Sequence, residues 1–391
     1  MKLVGIRVYP LAATFARQYG GLANVPPEVL APASHFRRIP RTGQYATLVK
    51  VTAANGLSGW GEGFGLPYPL AAASLIENVV APAIMGQDIE EPACMLADLA
   101  TYFRALGHTR GPAIEALAAV DIALWDLIAK AAGQPLATRL GGSPGPVETY
   151  VSPVALLPTP AASAAAARDF VAQGYHAVKL KIGRGVAVDL DHIAAVREAL
   201  GRHQLMLDAN CAYGVEDAIA LAEGLRDLDI AWLEEPIPPD DPAALAAVRR
   251  ASPVPIAAGE NEFTLPAFEA LAKAGAVDIL QPNITRAGGV SGLMAIGELC
   301  AREGLKLAPH GVGTSVGVSA ALHVCRALPA AWCYEANRMP NALRDELPLV
   351  PLSLANGDLV ARDAPGHGGD PDVDRLAEFL LSQADAPKVP A

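Results

Sequence analysis

The chain is poor in cysteine, and its few cysteines are spaced unlike those of a zinc site or a disulfide framework. Only five occur among 391 residues, and no two form a Cys-x-x-Cys pair. They are Cys94, Cys211, Cys300, Cys325 and Cys333. Structural zinc sites and small disulfide-rich folds need closely spaced cysteines, so both are excluded. Widely spaced thiols suit a reducing compartment, and we expect a cytoplasmic protein.

Two further absences exclude whole classes of partner. No run of lysine and arginine occurs and the net charge is −11 at pH 7, so we expect no nucleic acid and no anionic membrane surface as a partner. A stretch of about 18 uninterrupted apolar residues is also missing. The best candidate, residues 113–132, contains Glu115, Asp121 and Asp126 and is predicted to be a buried helix. The N-terminus lacks the long apolar segment of a signal peptide.

Apolar material, by contrast, is abundant. Hydrophobic residues make up 52% of the chain and charged residues 18%, which excludes a disordered protein and allows a large core. The length exceeds the usual size of about 100–200 residues per domain, so one large domain or two moderate ones are expected. The 36 glycines and 33 prolines follow no triplet repeat and indicate many tight turns.

Residues 1–140 are predicted to form an α+β domain. Apolar and polar residues alternate over 3–11 and 45–60, and Asn55-Gly56 interrupts the second stretch with a strong hairpin signal. The segment 15–41 between the two stretches is too long for a simple turn, and we interpret it as a functional lid. Helical periodicity follows over 70–84, 91–106 and 113–132, and the last helix is expected to end near Gly133.

From about residue 150, short apolar runs alternate with alanine-rich helical stretches. The runs cover residues 149–154, 176–182, 205–208, 230–234, 255–259, 277–281, 306–309 and 331–334. Eight such runs favour a parallel barrel over an open sheet. The helical pattern stops beyond Glu335, so the last strand is expected to lack its helix. A hairpin at Asn356-Gly357 follows, and the tail is expected to return to the N-terminal layer.

Chemically unusual residues follow the predicted strands at regular intervals. Successive members lie about 23 to 27 positions apart, which is the length of one strand and helix with their loops. The set comprises Lys181, Asp208, Glu234, Glu260, Asn283, His310 and Glu335. The carboxyl ends of parallel barrel strands form one rim, where barrel enzymes have their active sites. We therefore predict that these side chains meet on that rim.

Three of these residues predict a metal site. Asp208, Glu234 and Glu260 follow consecutive strands and are all oxygen donors, a set that suits a hard cation such as Mg²⁺. A single carboxylate would more simply be a helix cap or a surface charge, but three in register indicate a site. Glu235 would face the opposite side of an extended strand, and it is predicted to be a structural ion-pair partner.

Lysine and histidine side chains on the same rim are candidate acids and bases. Lys179 and Lys181 stand two apart on a predicted strand and so share a face. Two ammonium groups at such a short distance lower each other's pKa, which would prepare Lys181 to act as a base near neutral pH. His310 follows the apolar run 305–309 and is the second candidate. A carboxylate-bound Mg²⁺ beside such groups suits removal of the proton next to a carboxylate, through an enediolate.

A series of short motifs spans almost the whole chain. It comprises residues 118–126 (AAVDIALWD), Leu140-Gly141-Gly142, Lys179-x-Lys181, Asp208-x-Asn210, Glu234-Glu235-Pro236, Gly259-Glu260-Asn261 and His310. Together the motifs resemble the mandelate racemase branch of the enolase superfamily. The resemblance implies an α/β fold, with a (β/α)7β modified TIM barrel over 141–345. It also implies an α+β capping domain, made by residues 1–140 with the tail 346–391, and a homo-oligomer.

The resemblance further implies a role for each residue of the rim. By this analogy Asp208, Glu234 and Glu260 bind Mg²⁺. Lys181 is one base, assisted by Lys179, and His310 is the opposing acid or base. Glu335 polarises the carboxylate of the substrate.

The chain departs from the family pattern at one position. The family's histidine is normally paired with an aspartate in a Gln-Pro-Asp pattern, whereas this chain has Gln281-Pro282-Asn283. We expect the side-chain oxygen of Asn283 to hold His310 without supplying a negative charge, so His310 should be less basic than in a true dyad. This favours Lys181 as the base that takes the α-proton and His310 as an acid toward a leaving oxygen.

The substrate is expected to be a small-molecule carboxylate. Asn210 and the capping-loop residues Tyr19, His35, Arg37 and Tyr68 are the predicted substrate contacts, although solvated loop side chains are the alternative. Polar and cationic groups favour an acid sugar, so we predict a dehydratase or lactone cycloisomerase that acts on an aldonate or aldarate. A racemase or epimerase of a 2-hydroxy acid or amino-acid derivative is the alternative. A catalytically silent barrel that binds an anion or a partner protein is a remote one.

Overall fold

The alternating sequence of the N-terminal region forms a three-stranded antiparallel sheet, as predicted. In the computed structural model, which describes residues 1–382, the strands are β1 (Leu3–Thr14), β2 (Gly43–Ala53) and β3 (Ser58–Phe64). The turn between β2 and β3 contains Asn55-Gly56, and Gly56 adopts a φ of +85° that favours glycine. The hairpin prediction is confirmed.

Helices precede and follow strands of this sheet in the N-terminal part of the chain. The segment between β1 and β2, which we call the lid, contains the short helical turns Phe15–Gln18, Leu22–Asn24, Pro27–Leu30 and Ser34–Arg37. The helices after β3 are Leu70–Leu75, Ile76–Val80, Ala81–Ile84, Pro92–Ala105, Pro112–Ala131 and Leu136–Arg139. The three predicted helical stretches are thus confirmed, with a π-helical turn inside the first of them.

Glycines of β3 allow the helix Pro112–Ala131 to lie directly on the strand. A Cβ at Gly59 would stand 2.1 Å from the carbonyl oxygen of Ala123, and one at Gly61 would stand 1.9 Å from that of Ala119. Only glycine fits at so close an approach. Because side chains alternate along a strand, Glu62 points to the other face, toward the barrel.

The next part of the chain, up to Asn337, forms a closed parallel barrel. A short strand, β4 (Gly145–Val147), leads into β5 (Thr149–Val154), β6 (Ala177–Lys181), β7 (Gln204–Asp208), β8 (Ile230–Glu234), β9 (Ile256–Ala258), β10 (Ile279–Leu280), β11 (Lys306–Leu307) and β12 (Tyr334–Asn337). The eight strands pair in the order β11-β10-β9-β8-β7-β6-β5-β12. Leu307 of β11 also pairs in parallel with Ala331, just before β12, which closes the ring. The predicted barrel is confirmed.

Within residues 1–382, seven helices cover the barrel, and β12 is followed by two four-residue helices alone, Ala342–Asp345 and Leu376–Phe379. The seven are Pro160–Ala172, Val186–Leu200, Val215–Gly224, Pro242–Ala251, Leu265–Lys273, Gly289–Glu303 and Ser315–Cys325. Prolines occupy the first turn of several helices, where no backbone N–H is needed. The side chains of Thr159, Asp241 and Thr314 cap three of the N-termini.

The C-terminal tail returns to the N-terminal layer, as expected. Strands β13 (Leu354–Ala355) and β14 (Asp358–Ala361) form a hairpin that pairs with β4. After the short helix Leu376–Phe379, Leu380 pairs with Leu11 of β1. The part of the predicted tail over 383–391 lies outside the described residues, and the boundaries after 140 and 345 stay predictions. Within residues 1–382, no helix is long and apolar enough to cross a membrane.

Candidate active site

The carboxyl ends of the barrel strands open into a cavity of about 510 Å³ that the lid covers. The wall on the barrel side carries residues of the predicted rim, Lys181, Asn210, Glu260, His310 and Glu335. The opposite wall comes from the capping side and includes His35, Phe36, Ile39, Arg41 and Tyr45. The cavity therefore lies where the predicted rim meets the lid.

Three carboxylates converge beside this cavity. Asp208 and Glu234 end strands β7 and β8, and Glu260 follows β9 after Gly259. Each offers an oxygen atom that lies within 4.8 Å of the others, and all three are buried. Gly259 has a φ of +135°, and a Cβ there would stand 2.9 Å from the ring of Phe268. Glycine thus turns the chain so that Glu260 reaches the cluster.

The donor set fits a divalent cation. Oε2 of Glu260 is buried and accepts no hydrogen bond from the described residues. Three hydrogen bonds hold Glu234 in place. Oε2 accepts from Nε1 of Trp232 at 3.1 Å and from Nε2 of Gln281 at 2.8 Å. Oε1 accepts from Nζ of Lys179 at 2.8 Å. Three carboxylates without cysteine or histidine suit Mg²⁺.

Lys179 lies fully buried on the inner face of β6 and binds these carboxylates together. Its Nζ is 2.8 Å from Glu234 and 3.3 Å from both Asp208 and Glu335. Burial opposes the charge of Lys179, but the surrounding carboxylates outweigh it and raise the pKa of this ammonium well above its usual range. Lys179 is therefore a charged positioning group and does not line the cavity.

Lys181 reaches the cavity from the same face of β6, as predicted, but the predicted pKa is wrong. Burial and the charge of Lys179 lower the pKa of Lys181, but Asp208 and the other carboxylates outweigh both and raise it. Nζ of Lys181 donates hydrogen bonds to Asp208 and, at 2.8 Å, to Oδ1 of Asn210. The prediction counted the neighbouring ammonium and overlooked the acidic groups around it.

His310 contacts Asn283, but through the amide nitrogen and not through the expected oxygen. Nδ2 of Asn283 lies 3.0 Å from Nδ1 of His310 and donates a second hydrogen bond to the carbonyl oxygen of Val312 at 3.1 Å. Oδ1 of Asn283 is already occupied, because it accepts hydrogen bonds from the backbone N–H and the hydroxyl of Thr285 at 2.9 and 2.7 Å. The sequence could not show these competing donors.

His310 is weakly basic, in the direction expected, although for a different reason. Burial lowers the pKa of His310 to about 4, and the nearby carboxylate of Glu335 only partly opposes this effect. Nε2 of His310 lies 3.2 Å from Oε2 of Glu260 and 3.7 Å from Oε2 of Glu335. Glu335 itself accepts a hydrogen bond of 2.9 Å from the backbone N–H of Gly311.

Glu235 is not the structural ion-pair partner that the sequence suggested. It follows the end of β8 with a φ of +38°, so the strand does not stay extended and the side chain enters the cavity wall. Nδ2 of Asn261 donates to both carboxylate oxygens at 3.0 and 2.9 Å, and the thiol of Cys211 lies 3.4 Å away. Burial and the neighbouring carboxylates raise the pKa of Glu235 well above its usual range.

Comparison with known proteins places this arrangement in a family. Residues 25–141 match the N-terminal domain of mandelate racemase and muconate lactonizing enzyme, and residues 162–375 match the enolase C-terminal domain-like family. The chain belongs to the mandelate racemase/muconate lactonizing enzyme family of the enolase superfamily. Its members are enzymes, and the resemblance expected from the sequence is confirmed.

Relatives in this family include lyases and isomerases. The chain is 36% identical to a D-galactarolactone cycloisomerase from Agrobacterium fabrum, over 85% of this chain and 91% of that protein. It is 31% identical to an arabinonate dehydratase from Saccharolobus solfataricus, over 82% and 86%. A racemase from Streptomyces coelicolor, solved with bound magnesium, superposes with a TM-score of 0.86 at 28% identity, covering 97% of this chain and all of that one.

Two of the five side chains predicted to bind substrate line the cavity of this family member. Asn210, with a φ of +42°, accepts a hydrogen bond from Lys181 and directs Nδ2 toward Glu260 at 3.4 Å. His35 belongs to the lid turn Ser34–Arg37 and lines the cavity, where partial desolvation and the charge of Lys181 lower its pKa. Both therefore line the cavity, and their contact with a substrate stays a prediction.

The other three predicted substrate contacts do not line the cavity. Tyr19 packs against an apolar cluster that includes Phe15, Arg37 is exposed, and the ring of Tyr68 lies 6.1 Å from that of Tyr45. Successive residues of a helical turn point in different directions, so a lid sequence alone does not show which side chains face inward.

Arg286 is a cavity residue that the sequence analysis missed. Its guanidinium lies 4.2 Å from the ring centre of Phe64 and 4.8 Å from that of Phe263. Nη1 donates to the backbone carbonyl of Glu260 at 3.0 Å, and Nε lies 3.5 Å from Glu115 of the helix Pro112–Ala131, which we call the capping helix. The available signal was its position three residues after Asn283, in the loop that follows β10.

Arg41 is the second cationic group of the cavity wall that was overlooked. It lies near the C-terminal end of the lid, is buried, and donates hydrogen bonds to the side chain of Gln44 and the carbonyl oxygen of Gly43. Burial lowers its pKa to about 10. The predicted cationic lid residue, Arg37, is thus replaced at the cavity by an arginine four positions further along the chain.

Asp126 of the AAVDIALWD motif belongs to a group of ion pairs that includes the tail. Asp126 contacts Lys130 at 2.6 Å, and Lys130 also lies 2.7 Å from Asp370 of the tail. With His367 these carboxylates form a second acidic cluster, but the lysine ammonium already provides the cation. This cluster attaches the tail to the capping helix.

Proposed function

We propose that this chain is an Mg²⁺-dependent enzyme that removes the proton α to the carboxylate of an acid sugar or its lactone. Elimination of the oxygen at the β position would follow, which makes the chain a dehydratase or a lactone cycloisomerase. The observation that carries the proposal is the position of Lys181, whose Nζ reaches the cavity beside the convergent carboxylates. A base next to a cation site, both at the same cavity, is what α-proton removal requires.

Asp208, Glu234 and Glu260 would hold the metal ion. When bound, Mg²⁺ would supply the positive charge that stabilises an enediolate. The carboxylates that raise the pKa of Lys181 are the same ones that would share their charge with the ion. Occupancy by a divalent cation would therefore lower the pKa of Lys181 toward the range in which it accepts a proton.

Lys181 would take the α-proton, while Glu335 and His310 contact the substrate from the other side of the cavity. Gly311 and Lys179 hold Glu335 in place, where its ionised carboxylate would accept a hydrogen bond from a hydroxyl group of the substrate. His310 would face the oxygen that leaves. Asn210, His35 and Arg286 would bind the remaining hydroxyl or carboxylate groups.

The acid-sugar class rests on the cavity wall and on the relatives. Asparagine side chains, a histidine and an arginine line the cavity, and these groups suit several hydroxyls. They include Asn210, Asn261, Asn337, His35 and Arg286. The names of the two relatives, D-galactarolactone cycloisomerase and arabinonate dehydratase, support the same class.

A racemase or epimerase is the second candidate, because a superposable relative is named a racemase. Two-base racemisation needs a histidine that accepts a proton from the second face of the substrate. The amide of Asn283 offers His310 no negative charge to support an imidazolium, which disfavours this candidate. A silent binding barrel is disfavoured further, because both lysines and all three carboxylates are in place.

We also propose that the chain forms a homo-oligomer, as in the resemblance described above. A group of apolar side chains in the tail is exposed, with Leu349 at 65%, Leu354 at 48% and Val350 at 44%. Light scattering after size-exclusion chromatography measures the mass directly. A single species of 40.5 kDa would contradict this part of the proposal.

The reaction itself can be tested with a panel of substrates. D-galactarolactone, arabinonate and galactarate would be incubated with the enzyme and Mg²⁺, and the 2-keto-3-deoxy acid product would be measured. At least one acid should be turned over, and chelation with EDTA should stop the reaction. If every acid and lactone instead exchanges its α-proton without elimination, the racemase candidate is favoured.

A further inference from the structure

The side-chain amide of Asn283 has only one orientation that satisfies its neighbours. The backbone N–H of Thr285 can only donate, and it lies 2.9 Å from one end of the amide. The carbonyl oxygen of Val312 can only accept, and it lies 3.1 Å from the other end. The first contact therefore identifies the amide oxygen and the second identifies the NH₂ group.

This orientation determines which group of Asn283 forms a hydrogen bond with His310. The same NH₂ group lies 3.0 Å from Nδ1 of His310, in a buried contact. An amide nitrogen has no lone pair to offer, so it donates and Nδ1 must accept. In a neutral imidazole only one nitrogen carries the proton, and the tautomer is set by the partner of the other nitrogen.

We propose that Asn283 fixes His310 in the tautomer with its proton on Nε2, so that His310 donates a hydrogen bond to the substrate and does not act as a base. The inference deepens the proposed function, on which its catalytic part rests. A histidine paired with an aspartate has the reverse arrangement, with the proton on Nδ1 and a lone pair toward the substrate. Asn283 is thus a positioning residue that leaves Lys181 as the single base.

The surroundings of Nε2 support this assignment independently. Nε2 lies 3.2 Å from a carboxylate oxygen of Glu260 and 3.7 Å from one of Glu335. A lone pair at Nε2 would face the negatively charged carboxylate of Glu335, whereas an N–H is attracted by it. The hydrogen bonds at Nδ1 and the charge near Nε2 therefore favour the same tautomer.

The fixed tautomer also discriminates between leaving groups. After Lys181 takes the α-proton, the electron pair of the C–H bond forms the enediolate and then expels the β-oxygen, which keeps the electrons of the broken C–O bond. In a lactone this oxygen leaves as a carboxylate and needs no proton, whereas hydroxide from an open-chain acid does. A neutral ring with its only proton on Nε2 stabilises an anion but is a poor proton donor, so lactones are the favoured substrates.

Nitrogen NMR of the protein labelled with ¹⁵N at its histidines tests the tautomer without any substrate. At neutral pH, Nε2 of His310 should show the chemical shift of a protonated nitrogen, and Nδ1 that of an unprotonated one, assigned with a His310→Gln spectrum. Protonation on Nδ1 alone, or on both nitrogens, would overturn the proposal. This readout holds even if no acid on the panel is turned over, which separates its failure from that of the proposed function.

Two variants refine the test. Asn283→Asp places an acceptor against Nδ1 and should move the proton there, as seen in the same spectrum. Thr285→Val is the matched control, because it removes the hydroxyl but keeps the backbone N–H that orients the amide, so the proton should stay on Nε2. A shift of the proton in Thr285→Val, or an unchanged tautomer in folded Asn283→Asp, would contradict the role of Asn283.

Turnover provides the functional comparison. Because a general acid contributes about 10²-fold or more, kcat/KM for D-galactarolactone should exceed that for galactarate by about 10²-fold. In D₂O, recovered substrate should contain deuterium introduced from the Lys181 side only. Comparable rates for both substrates, or exchange from both faces, would show that His310 exchanges its proton after all.

Discussion

Oδ1 of Asp121 in the capping helix accepts a hydrogen bond of 3.0 Å from the backbone N–H of Ser291, at the start of the barrel helix Gly289–Glu303. Glu62 of β3 makes the same kind of contact with the next barrel helix, Ser315–Cys325. It accepts hydrogen bonds from the backbone N–H groups of Thr314 and Gly317, both at 2.8 Å. The first N–H groups of a helix have no partner within the helix, so a side-chain oxygen that accepts their hydrogen bonds is stabilising. The capping domain is thus attached to the barrel through two helix ends.

Removal of Glu62 should therefore destabilise the whole protein. In Glu62→Ala, the buried N–H groups of Thr314 and Gly317 lose their acceptor, and we expect the free energy of unfolding to fall by about 2–4 kcal/mol. Chemical denaturation followed by circular dichroism measures this change. The exposed Glu77 provides the control, since Glu77→Ala should change stability by less than about 0.5 kcal/mol. Equal stability of the two variants would show that the contact contributes nothing.

Metal binding should depend on Glu260 and not on Glu235. Mg²⁺ should raise the melting temperature of the wild-type protein, with about 2.7 kcal/mol of stabilisation at a concentration of 100 times Kd. Glu260→Gln should lose this response because one carboxylate of the cluster is gone. Glu235→Gln is the matched control and should keep the response, since Glu235 binds Asn261 and lies outside the cluster. A full response in Glu260→Gln, measured by thermal shift and titration calorimetry, would exclude the site.

Replacement of Lys181 should abolish chemistry but leave the fold. In Lys181→Met, deuterium from D₂O should no longer enter the α-carbon of a substrate found on the panel, because no base remains on that face. Mass spectrometry of recovered substrate provides the measurement. Mg²⁺ should still raise the melting temperature of the variant. Wild-type exchange in Lys181→Met would rule out Lys181 as the base.

The neighbouring lysine should behave differently. Lys179 is completely buried and lies within 3.3 Å of three carboxylates, so Lys179→Met leaves buried negative charge without compensation. We expect a loss of about 3–5 kcal/mol in the free energy of unfolding. Lys181→Met, two residues further on, serves as its control, because Lys181 is partly exposed. The reverse order of stability would contradict the structural role given to Lys179.

Acid should destabilise the protein in part through His323. This histidine is buried on the helix Ser315–Cys325, accepts a hydrogen bond of 3.0 Å from the backbone N–H of Ala137, and has its pKa lowered to about 4 by burial, with His367 adding to the effect. The unfolded chain binds a proton near pH 6.5 and the folded chain does not, so stability falls as the pH drops from about 6.5 to 4.

An asparagine at this position would keep the acceptor and remove the titration. Relative to His323→Asn, the wild-type protein should lose about 2 kcal/mol of stability between about pH 7.5 and pH 5. Urea denaturation at both pH values gives the difference. A constant difference between the two proteins would mean that His323 does not titrate in this range.

The sequence by itself determined which residues share the rim of the barrel. Each strand and helix unit has nearly the same length, so residues that recur at this interval reach the same edge of a parallel sheet. Asp208, Glu234 and Glu260 could therefore be grouped before the structure was known. The two-residue periodicity of a strand likewise placed Lys179 and Lys181 on one face. Both predictions follow from local backbone geometry, which produces a regular spacing of residues in the sequence.

Only the tertiary structure decided how these residues interact. The pKa of Lys181 depends on carboxylates from three other strands, and the side of Asn283 that meets His310 depends on backbone groups of two loops. Glu235 turned into the cavity because the chain leaves the strand at that residue. Arg286 is fixed by contacts with both the capping side and the barrel, and Arg41 by contacts with the lid and the start of β2. Residues that interact through charge or hydrogen bonds but lie far apart in the chain leave no periodic signal in the sequence. The sequence therefore predicted where the site residues lie along the barrel, whereas the fold determined which of them interact.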